Sequence, residues 1–125
     1  MAVDITGLNK AIDNAKSTLK DALLAMDVWD SATGLSLADH NGQPAATALF
    51  NHITGDVVAI LRDSGYPTLN KYYLLDLENA QTVLINVHTD TLLSGMLLDT
   101  SKTSLGVLVG VIIPRLHSDV AASVG

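Results

Sequence analysis

The sequence predicts an α+β fold, and three observations carry that prediction. The chain has 125 residues, of which 48% are hydrophobic, enough for one sizeable core. Its apolar residues recur at helical spacing in some stretches and alternate as in strands in others. Its later strand candidates are joined by links of two or three residues, which force antiparallel neighbours. We therefore interpret residues 1–125 as a single domain ordered helix, two strands, helix, three strands, helix.

The first element is an amphipathic helix over residues 5–26. Its apolar residues recur every three or four positions, which places them on one stripe. They are Ile5, Leu8, Ile12, Ala15, Leu19, Ala22, Leu23 and Met26. Asp4 is suited to cap the start of this helix, because its carboxylate can accept from free backbone N–H groups. A coiled coil is the alternative, since it requires similar spacing.

Two short strands are predicted next, at residues 32–38 and 43–46. Thr33, Leu35 and Leu37 alternate with small or polar residues, as in a half-buried strand. Asn41-Gly42 tolerates the positive φ angles of a tight turn, so we expect a hairpin there.

The second helix is bounded most clearly. Leu49, Phe50, Ile53, Val57, Ile60 and Leu61 fall at helical spacing. Gly65 is placed to end the helix, and Pro67 prevents its continuation. Three strands are predicted after it, at residues 71–78, 81–88 and 92–99.

The last element contains nine consecutive residues, 105–113, without a polar side chain. This run is about half the ~20 residues that a membrane span needs. A helix from Ser101 or Thr103 to about Val120 is favoured over a strand. Val107 and Val111 lie on its second side, so we expect both the sheet and a neighbouring helix to bury it. Pro114 should bend the helix or end its straight part.

The composition excludes several classes of partner. The net charge is −6, and the seven lysines and arginines are spread along the chain, so we expect no nucleic-acid partner. No cysteine is present, which is compatible with a reducing compartment. The first residues have neither the charge nor the apolar core of a signal peptide. We therefore expect a cytoplasmic protein without a membrane partner.

No motif in the sequence predicts a reaction. The four histidines, His40, His52, His88 and His117, are too scattered for a local metal motif. Lys102-Thr103 lacks the preceding glycines of a phosphate-binding loop, and no serine lies in a nucleophile elbow. We expect no metal, no cofactor and no catalytic residue, so the protein is not predicted to be an enzyme.

The second helix is apolar over a wider arc than packing on one sheet requires. Its six apolar residues span about 120° of a helical wheel, and Val58 extends the arc toward 180°. The surplus indicates a second buried surface, either against the rest of the chain or in a subunit interface. Tyr72 and Tyr73 on the next strand suit such an interface, because aromatic side chains bury large areas and keep a polar group.

The order of elements resembles that of the roadblock family, which includes dynein light chains and bacterial and archaeal GTPase co-regulators. Two segments carry the likeness in detail: "ADHNGQPAA" after the first helix, and "LLDTSKTSLGVLV" leading into the last. The likeness covers nearly the whole chain. The sequence departs from the family pattern in "MDVWDSATG", which lacks an obvious glycine-rich segment before the first strand.

This resemblance implies a roadblock/profilin-like arrangement, a five-stranded antiparallel sheet with the second helix on one face and the first and last helices on the other. It implies a homodimer that pairs through the second helix and the third strand to make a continuous sheet. The residues expected at that interface are Phe50, Thr54, Val57, Val58, Leu61, Tyr72 and Tyr73. We expect Val58→Asp to weaken such a dimer.

The resemblance also implies a non-catalytic platform for a small Ras-like GTPase or a scaffold protein. Asn51 and Arg62 are the candidate partner-binding residues, and an arginine-finger role for Arg62 is the less favoured reading. Two rival hypotheses remain from the residues alone. One is a small-ligand sensor domain of related shape, which needs a concave apolar pocket, and the other is a small hydrolase.

Overall fold

The computed structural model describes residues 3–124 and contains one five-stranded sheet with helices on both faces. The strands are β1 (Leu23–Asp30), β2 (Ser36–His40), β3 (Tyr72–Leu77), β4 (Gln81–Thr89) and β5 (Leu92–Asp99). The helices are α1 (Ile5–Leu19), α2 (Pro44–Asp63) and α3 (residues 105–121), and a 3-10 turn, Lys20–Ala22, follows α1. The predicted order of elements is confirmed.

The strands lie in the order β2-β1-β5-β4-β3, and every neighbouring pair is antiparallel. The three strands predicted at residues 71–78, 81–88 and 92–99 agree with the observed bounds to within one residue. β2 and β3 form the two edges, so each leaves one row of backbone N–H and C=O groups without a strand partner in the sheet.

The two faces of the sheet are covered unequally. α1 and α3 cover one face and enclose the larger core cluster, which includes Leu8, Val28, Leu84, Met96, Leu116 and Val120. α2 lies on the other face above a smaller cluster built from Trp29, Val83, Ile85 and Leu93. This arrangement confirms the expected layering of one helix against two. The smaller cluster is the part of the core that α2 has to cover.

The first helix is shorter than predicted. It ends at Leu19, and β1 begins at Leu23, so the prediction of helix up to Met26 is wrong. Lys20 adopts a positive φ of 52°, which an α-helix cannot accommodate. Leu23 and Met26 fit the stripe of a helix, but in the structure they are strand residues buried under α1. Periodicity could not separate these two readings.

The first hairpin lies nearer the N-terminus than predicted. β1 and β2 occupy residues 23–30 and 36–40 rather than 32–38 and 43–46, and the turn between them falls at residues 31–35. Asn41 does take a positive φ of 54°, but it leads into α2 instead of a second strand. Pro44 explains the difference, because proline is favoured in the first turn of a helix, where its missing N–H costs nothing.

The apolar run at residues 105–113 is helical, as predicted. α3 begins with a short α segment, Leu105–Val107, in which the Ser104 side chain accepts a hydrogen bond from the backbone N–H of Val107. A π-helical turn follows over Leu108–Ile112, and regular α-helix resumes at Ile113–Ala121. The straight α-helix is thus interrupted just before Pro114, where the prediction placed a bend or an end.

The π turn fits the position of Pro114. A proline inside a regular α-helix clashes with the carbonyl four residues before it, here that of Gly110. In the π turn the N–H of Ile113 bonds the carbonyl of Leu108, five residues back. The extra residue also returns the downstream buried side chains to the same face as Leu108. These side chains are Ile113, Leu116 and Val120.

The first half of α3 is not buried on two sides, which corrects the prediction. The sheet-facing residues Leu108 and Ile112 are buried, but Val107 and Val111 are more than a third exposed. Within the described chain, no neighbouring helix covers that second side.

Candidate interaction surface on the second helix

Polar contacts hold much of α2 against the sheet. Only two of its twenty residues are buried, and both are threonines. The Thr47 hydroxyl donates to the Asp27 carboxylate on β1. The Thr54 hydroxyl lies 2.8 Å from the Tyr73 hydroxyl on β3. Because threonine has little apolar surface to bury, α2 sits shallowly on its sheet.

An asparagine ties the middle of α2 to the end of β1. The indole N–H of Trp29 donates to Asn51 Oδ1 over 3.0 Å. Asn51 Nδ2 donates to the backbone carbonyl of Ser31 over 3.1 Å. Both ends of this amide are therefore used within the chain. Its expected role in binding a partner stays a prediction.

One side of α2 is apolar and largely uncovered. We call Leu49, Ile53, Val57 and Ile60 the α2 flank, because they fall within about 80° of one another on a helical wheel. Leu49 is 52% exposed and Ile60 is 64% exposed, while Ile53 and Val57 are half-buried. Large aliphatic side chains left in water over the length of a helix indicate a contact surface.

A second apolar feature is a groove of about 340 Å³ between the first half of α2 and the sheet, where Ala46, Thr47 and Phe50 form its α2 wall. The groove exists because α2 crosses the sheet diagonally, from Asp27 on β1 to Tyr73 on β3, and leaves the far ends of β3, β4 and β5 bare. Its walls include Met26, Trp29, Phe50, Leu77, Val83, Ile85, Met96 and Leu97.

The edge strand β3 continues this surface. Alternation places Tyr73, Leu75 and Leu77 on the α2 side of the sheet. Leu77 is exposed, and Leu75 is half-buried. An apolar edge strand beside an apolar helix flank offers both backbone hydrogen bonds and side-chain contacts to a second strand and helix.

The expected interface residues divide between two sides of α2. Phe50 lines the apolar groove, and Val57 and Leu61 are half-buried on the same side of α2 as Phe50. Val58 faces the opposite side, where it lines a separate, more polar groove of about 680 Å³ together with Asn51.

The remaining expected residues are more scattered. Thr54 is buried and bonded to Tyr73. Tyr72 lies on the other face of the sheet from Tyr73, because adjacent strand residues point in opposite directions. Arg62 is exposed at the end of α2, with Nε 3.5 Å from Asp63 Oδ1.

The expected interface residues omitted much of the apolar surface. The apolar spacing of α2 includes Leu49, Ile53 and Ile60, but the interface residues expected from the sequence do not. A helical wheel of α2 indicates their exposure, since among the apolar positions these three lie farthest from the buried threonines. The contribution of Leu75 and Leu77 could not be read in the same way, because it depends on where α2 crosses the sheet.

A buried carboxylate lies beside the apolar groove. Asp27 is 8% exposed and accepts hydrogen bonds from Ser36 and Thr47. Burial raises the pKa of this carboxyl above its ordinary value, and the two hydroxyl hydrogen bonds only partly oppose the shift. Because the folded pKa exceeds the unfolded one, stability falls as the pH rises from the unfolded to the folded pKa, and it stays constant above both.

We predict that Asp27→Asn removes this loss of stability. Relative to the wild type, the variant should gain stability between about pH 3.5 and pH 7, by about 1.4 kcal/mol for each unit by which the Asp27 pKa is raised. Chemical unfolding over that pH range measures the difference. Asp76→Asn, at an exposed carboxyl on β3, is the control and should follow the wild-type profile. A constant difference between Asp27→Asn and wild type would contradict the prediction.

Two histidines predicted to be scattered meet under α3. The ring centres of His88 on β4 and His117 on α3 are 4.6 Å apart. His88 Nε2 lies 2.8 Å from the Ser94 hydroxyl, and His117 Nε2 lies 3.1 Å from Asn86 Oδ1.

Burial, with the neighbouring His117, lowers the pKa of His88 to about 3. Burial, followed by the Lys71 charge, also lowers the pKa of His117. Both rings are therefore neutral at physiological pH.

The histidine pair lacks the further ligands of a metal centre. Among residues 3–124, no group of three or more histidine, aspartate or glutamate side chains is placed to hold a metal ion. No helix in the same part of the chain is long and apolar enough to cross a bilayer. The uncovered apolar surface of α2 and β3 is therefore the main candidate site.

Comparison with solved structures agrees with the architecture described above. MglB from Myxococcus xanthus superposes with a TM-score of 0.80 at 12% identity, covering 94% of this chain and 87% of that one. The gliding protein MglB from Thermus thermophilus gives 0.69 at 10% identity, covering 93% and 92%. A Roadblock/LC7 domain from Streptomyces avermitilis gives 0.61 at 10% identity, covering 86% and 91%.

These likenesses define the chain as a roadblock/LC7-type fold. At 10–12% identity they establish the fold that the resemblance implied. No protein-family model matches the sequence, and no curated protein sequence matches it.

Proposed function

We propose that this protein is a non-catalytic homodimeric platform of the roadblock type whose partner is a small Ras-like GTPase. The observation that carries the proposal is the uncovered apolar surface formed by the α2 flank, the apolar groove and the α2 side of β3. This surface occupies the elements through which roadblock chains are expected to pair. The cytoplasmic location expected from the sequence belongs to the same proposal.

The proposed dimer follows from the sheet geometry. Two β3 edges pair antiparallel about a twofold axis normal to the sheet. The same rotation reverses the direction of α2, so the two α2 helices run antiparallel on one face of a ten-stranded sheet. The second half of each α2 then lies above the bare groove of the other chain, where Ile60 and Leu61 can fill it. The midpoint of each α2, close to Ile53, lies near the axis.

The other face of α2 is left for a partner. The polar groove with Asn51 and Val58, and the exposed Arg62, lie away from the proposed dimer contact. A dimer would present two copies of that surface side by side. Asn51, Val58 and Arg62 are therefore the candidate contacts for the GTPase.

Nucleotide-dependent capture tests the function. The purified protein is immobilised and exposed to native lysate loaded with a non-hydrolysable GTP analogue or with GDP. Retained proteins are identified by mass spectrometry, and Arg62→Glu serves as the surface variant. We expect a small GTPase in one nucleotide state only, and reduced capture by the variant. Absence of any GTPase in both states would remove the GTPase from the proposal.

A ligand-sensor function is the second candidate, and the apolar groove is the observation that favours it. Its volume of about 340 Å³ lies within the range of small-molecule sites. A sensor should gain thermal stability from an apolar metabolite, whereas a groove filled by a second chain should not respond. A thermal-shift screen of the wild type separates the two functions.

A further inference from the structure

The first half of α3 carries a second uncovered apolar surface, on the opposite face of the sheet from α2. Leu105 is 63% exposed, and Val107, Val109 and Val111 are each more than a third exposed. We call these four residues the α3 ridges. A helix segment that is apolar all round is normally buried on several sides. Here the described chain buries only its sheet-facing stripe, Leu108 and Ile112.

Two glycines form the outward side of the same segment. Gly106 and Gly110 lie between the ridge of Leu105 and Val109 and the ridge of Val107 and Val111. A Cβ built on Gly110 would meet nothing within 4 Å, and one on Gly106 would meet only the Ser104 hydroxyl. Each exposed helical glycine costs about 1 kcal/mol relative to alanine. Packing within the chain does not require these two glycines, whereas close approach of a second helix would.

The α3 segment itself has no carboxylate that would repel a second copy of the chain. The chain carries a net charge of −6, so two copies repel each other wherever their carboxylates meet. Between Asp99 and Asp119 there is no acidic residue, and Lys102 and Arg115 are the two bases. This segment therefore adds no carboxylate of its own to a contact between two copies.

We propose that this half of α3 pairs with the same segment of a second copy of the chain. The contact is isologous, because ridges and glycine groove lie on one element and can accept their own counterparts across a twofold axis. From their exposed fractions, the α3 ridges expose roughly 300 Å² of mostly apolar surface, at the lower end of the size of the largest apolar patch on a typical monomer. That area is less than half of the ~800 Å² per partner in a standard interface, so a single α3 contact is weak.

Two such contacts act together if the α2 dimer of the proposed function exists, and to that extent the inference rests on it. A twofold axis normal to the sheet leaves both α3 helices on the same face of the dimer. Two dimers can then join face to face through two α3 pairs at once. Linked contacts of this kind bind far more tightly than one alone.

Leu105→Glu tests the α3 contact. Leu105 is the first helical residue of α3, where an acidic side chain interacts favourably with the helix dipole, so the fold should tolerate it. Leu35→Glu is the matched control, since Leu35 is 66% exposed and lies in the turn before β2. Sedimentation equilibrium over a concentration series gives the assembly mass. We expect Leu105→Glu to weaken the α3 association at least tenfold and Leu35→Glu to leave it unchanged.

A second substitution separates this inference from the proposed dimer. The full proposal predicts four chains for wild type and two for Leu105→Glu. Ile53→Asp removes the α2 contact and leaves one weak α3 contact per chain, so this variant should form two chains only at high concentration and single chains on dilution. The double variant should be a single chain at every concentration. If wild type is a dimer that only Leu105→Glu dissociates, the α3 contact stands and the α2 dimer fails. If only Ile53→Asp dissociates it, the α3 proposal is overturned.

Val109→Glu provides the same test at a second position. Circular dichroism confirms that each variant is folded before its mass is interpreted. Masses equal to wild type for both folded α3 variants would also overturn the proposal.

Discussion

Ile53→Asp is expected to break the α2 dimer contact and to raise its dissociation constant at least a hundredfold, which is ~2.7 kcal/mol, leaving folded chains that associate only weakly through α3. Ile53 lies at the midpoint of α2, so in an antiparallel pair the two copies of this residue meet near the axis. The substitution puts two carboxylates opposite each other in the apolar contact between the two α2 helices, where like charges cost several kcal/mol. Sedimentation velocity over a dilution series measures the effect.

Ala48→Asp is the matched control for this experiment. Ala48 is exposed on the outer side of α2, about 140° from Ile53 on the helical wheel. This variant receives the same charge in the same helix and should keep the α2 dimer contact. Val58→Asp lies on the polar-groove side and should weaken the dimer less than Ile53→Asp does. If Val58→Asp alone dissociated the protein, the dimer would use the opposite side of α2 from the one proposed.

Acidification is expected to remove about 2 kcal/mol of stability between pH 7 and pH 5 through His88 alone, calculated from a folded pKa of about 3 and an ordinary value of 6.5. The folded pKa is depressed, so the unfolded chain binds the proton first. The His88 contribution is fully present above about pH 6.5 and is lost as the pH falls from there toward the folded value.

The structure gives the reason for this acid sensitivity. Protonating His88 would put an N–H on its Nδ1 atom, which is buried without a hydrogen-bond partner in the described chain. It would also place a positive ring beside His117, which itself lies near the Lys71 charge. No carboxylate appears among the groups that shift either histidine. The charged ring would therefore keep one buried N–H without an acceptor, and it would have no counter-charge.

His88→Gln should flatten the stability profile between pH 6.5 and pH 5, because glutamine does not titrate and can still reach the Ser94 hydroxyl. His52→Gln is the control, since the His52 side chain is 76% exposed and should leave the profile of the wild type unchanged. Urea unfolding at several pH values measures both variants. An equally steep loss of stability in His88→Gln would assign the acid sensitivity to other groups.

The sequence predicted the fold wherever local chemistry decided it. Gly65, with a φ of 75°, follows the end of α2 as expected, and the short links between β3, β4 and β5 required antiparallel pairing. The prediction was wrong at the end of α1, where buried strand residues happen to continue the spacing of the helix. Leu23 and Met26 continue the stripe of α1 but belong to β1, because the helix ends where Lys20 takes a positive φ and the 3-10 turn begins. Lysine carries no sequence signal for such an angle.

The candidate site was predictable only as far as it depends on local spacing. The wide apolar arc of α2 could be read from spacing alone. Which part of that arc the sheet covers depends on the diagonal path of α2 between Asp27 and Tyr73, and no local pattern encodes it. The meeting of His88 and His117 is also a tertiary event, because the two residues lie far apart in the chain. Such contacts appear only when the sheet is assembled.

The π turn in α3 has a consequence for how this chain is compared with others. A helix that lost one residue within Leu108–Ile112 could close into a regular α turn and keep Leu116 and Val120 against the sheet. Pro114 would then have to change as well, because its ring would meet the carbonyl four residues back. Proteins of this fold can therefore differ by one residue inside a helix. An alignment that allows gaps only in loops would place every position after Ile113 out of register.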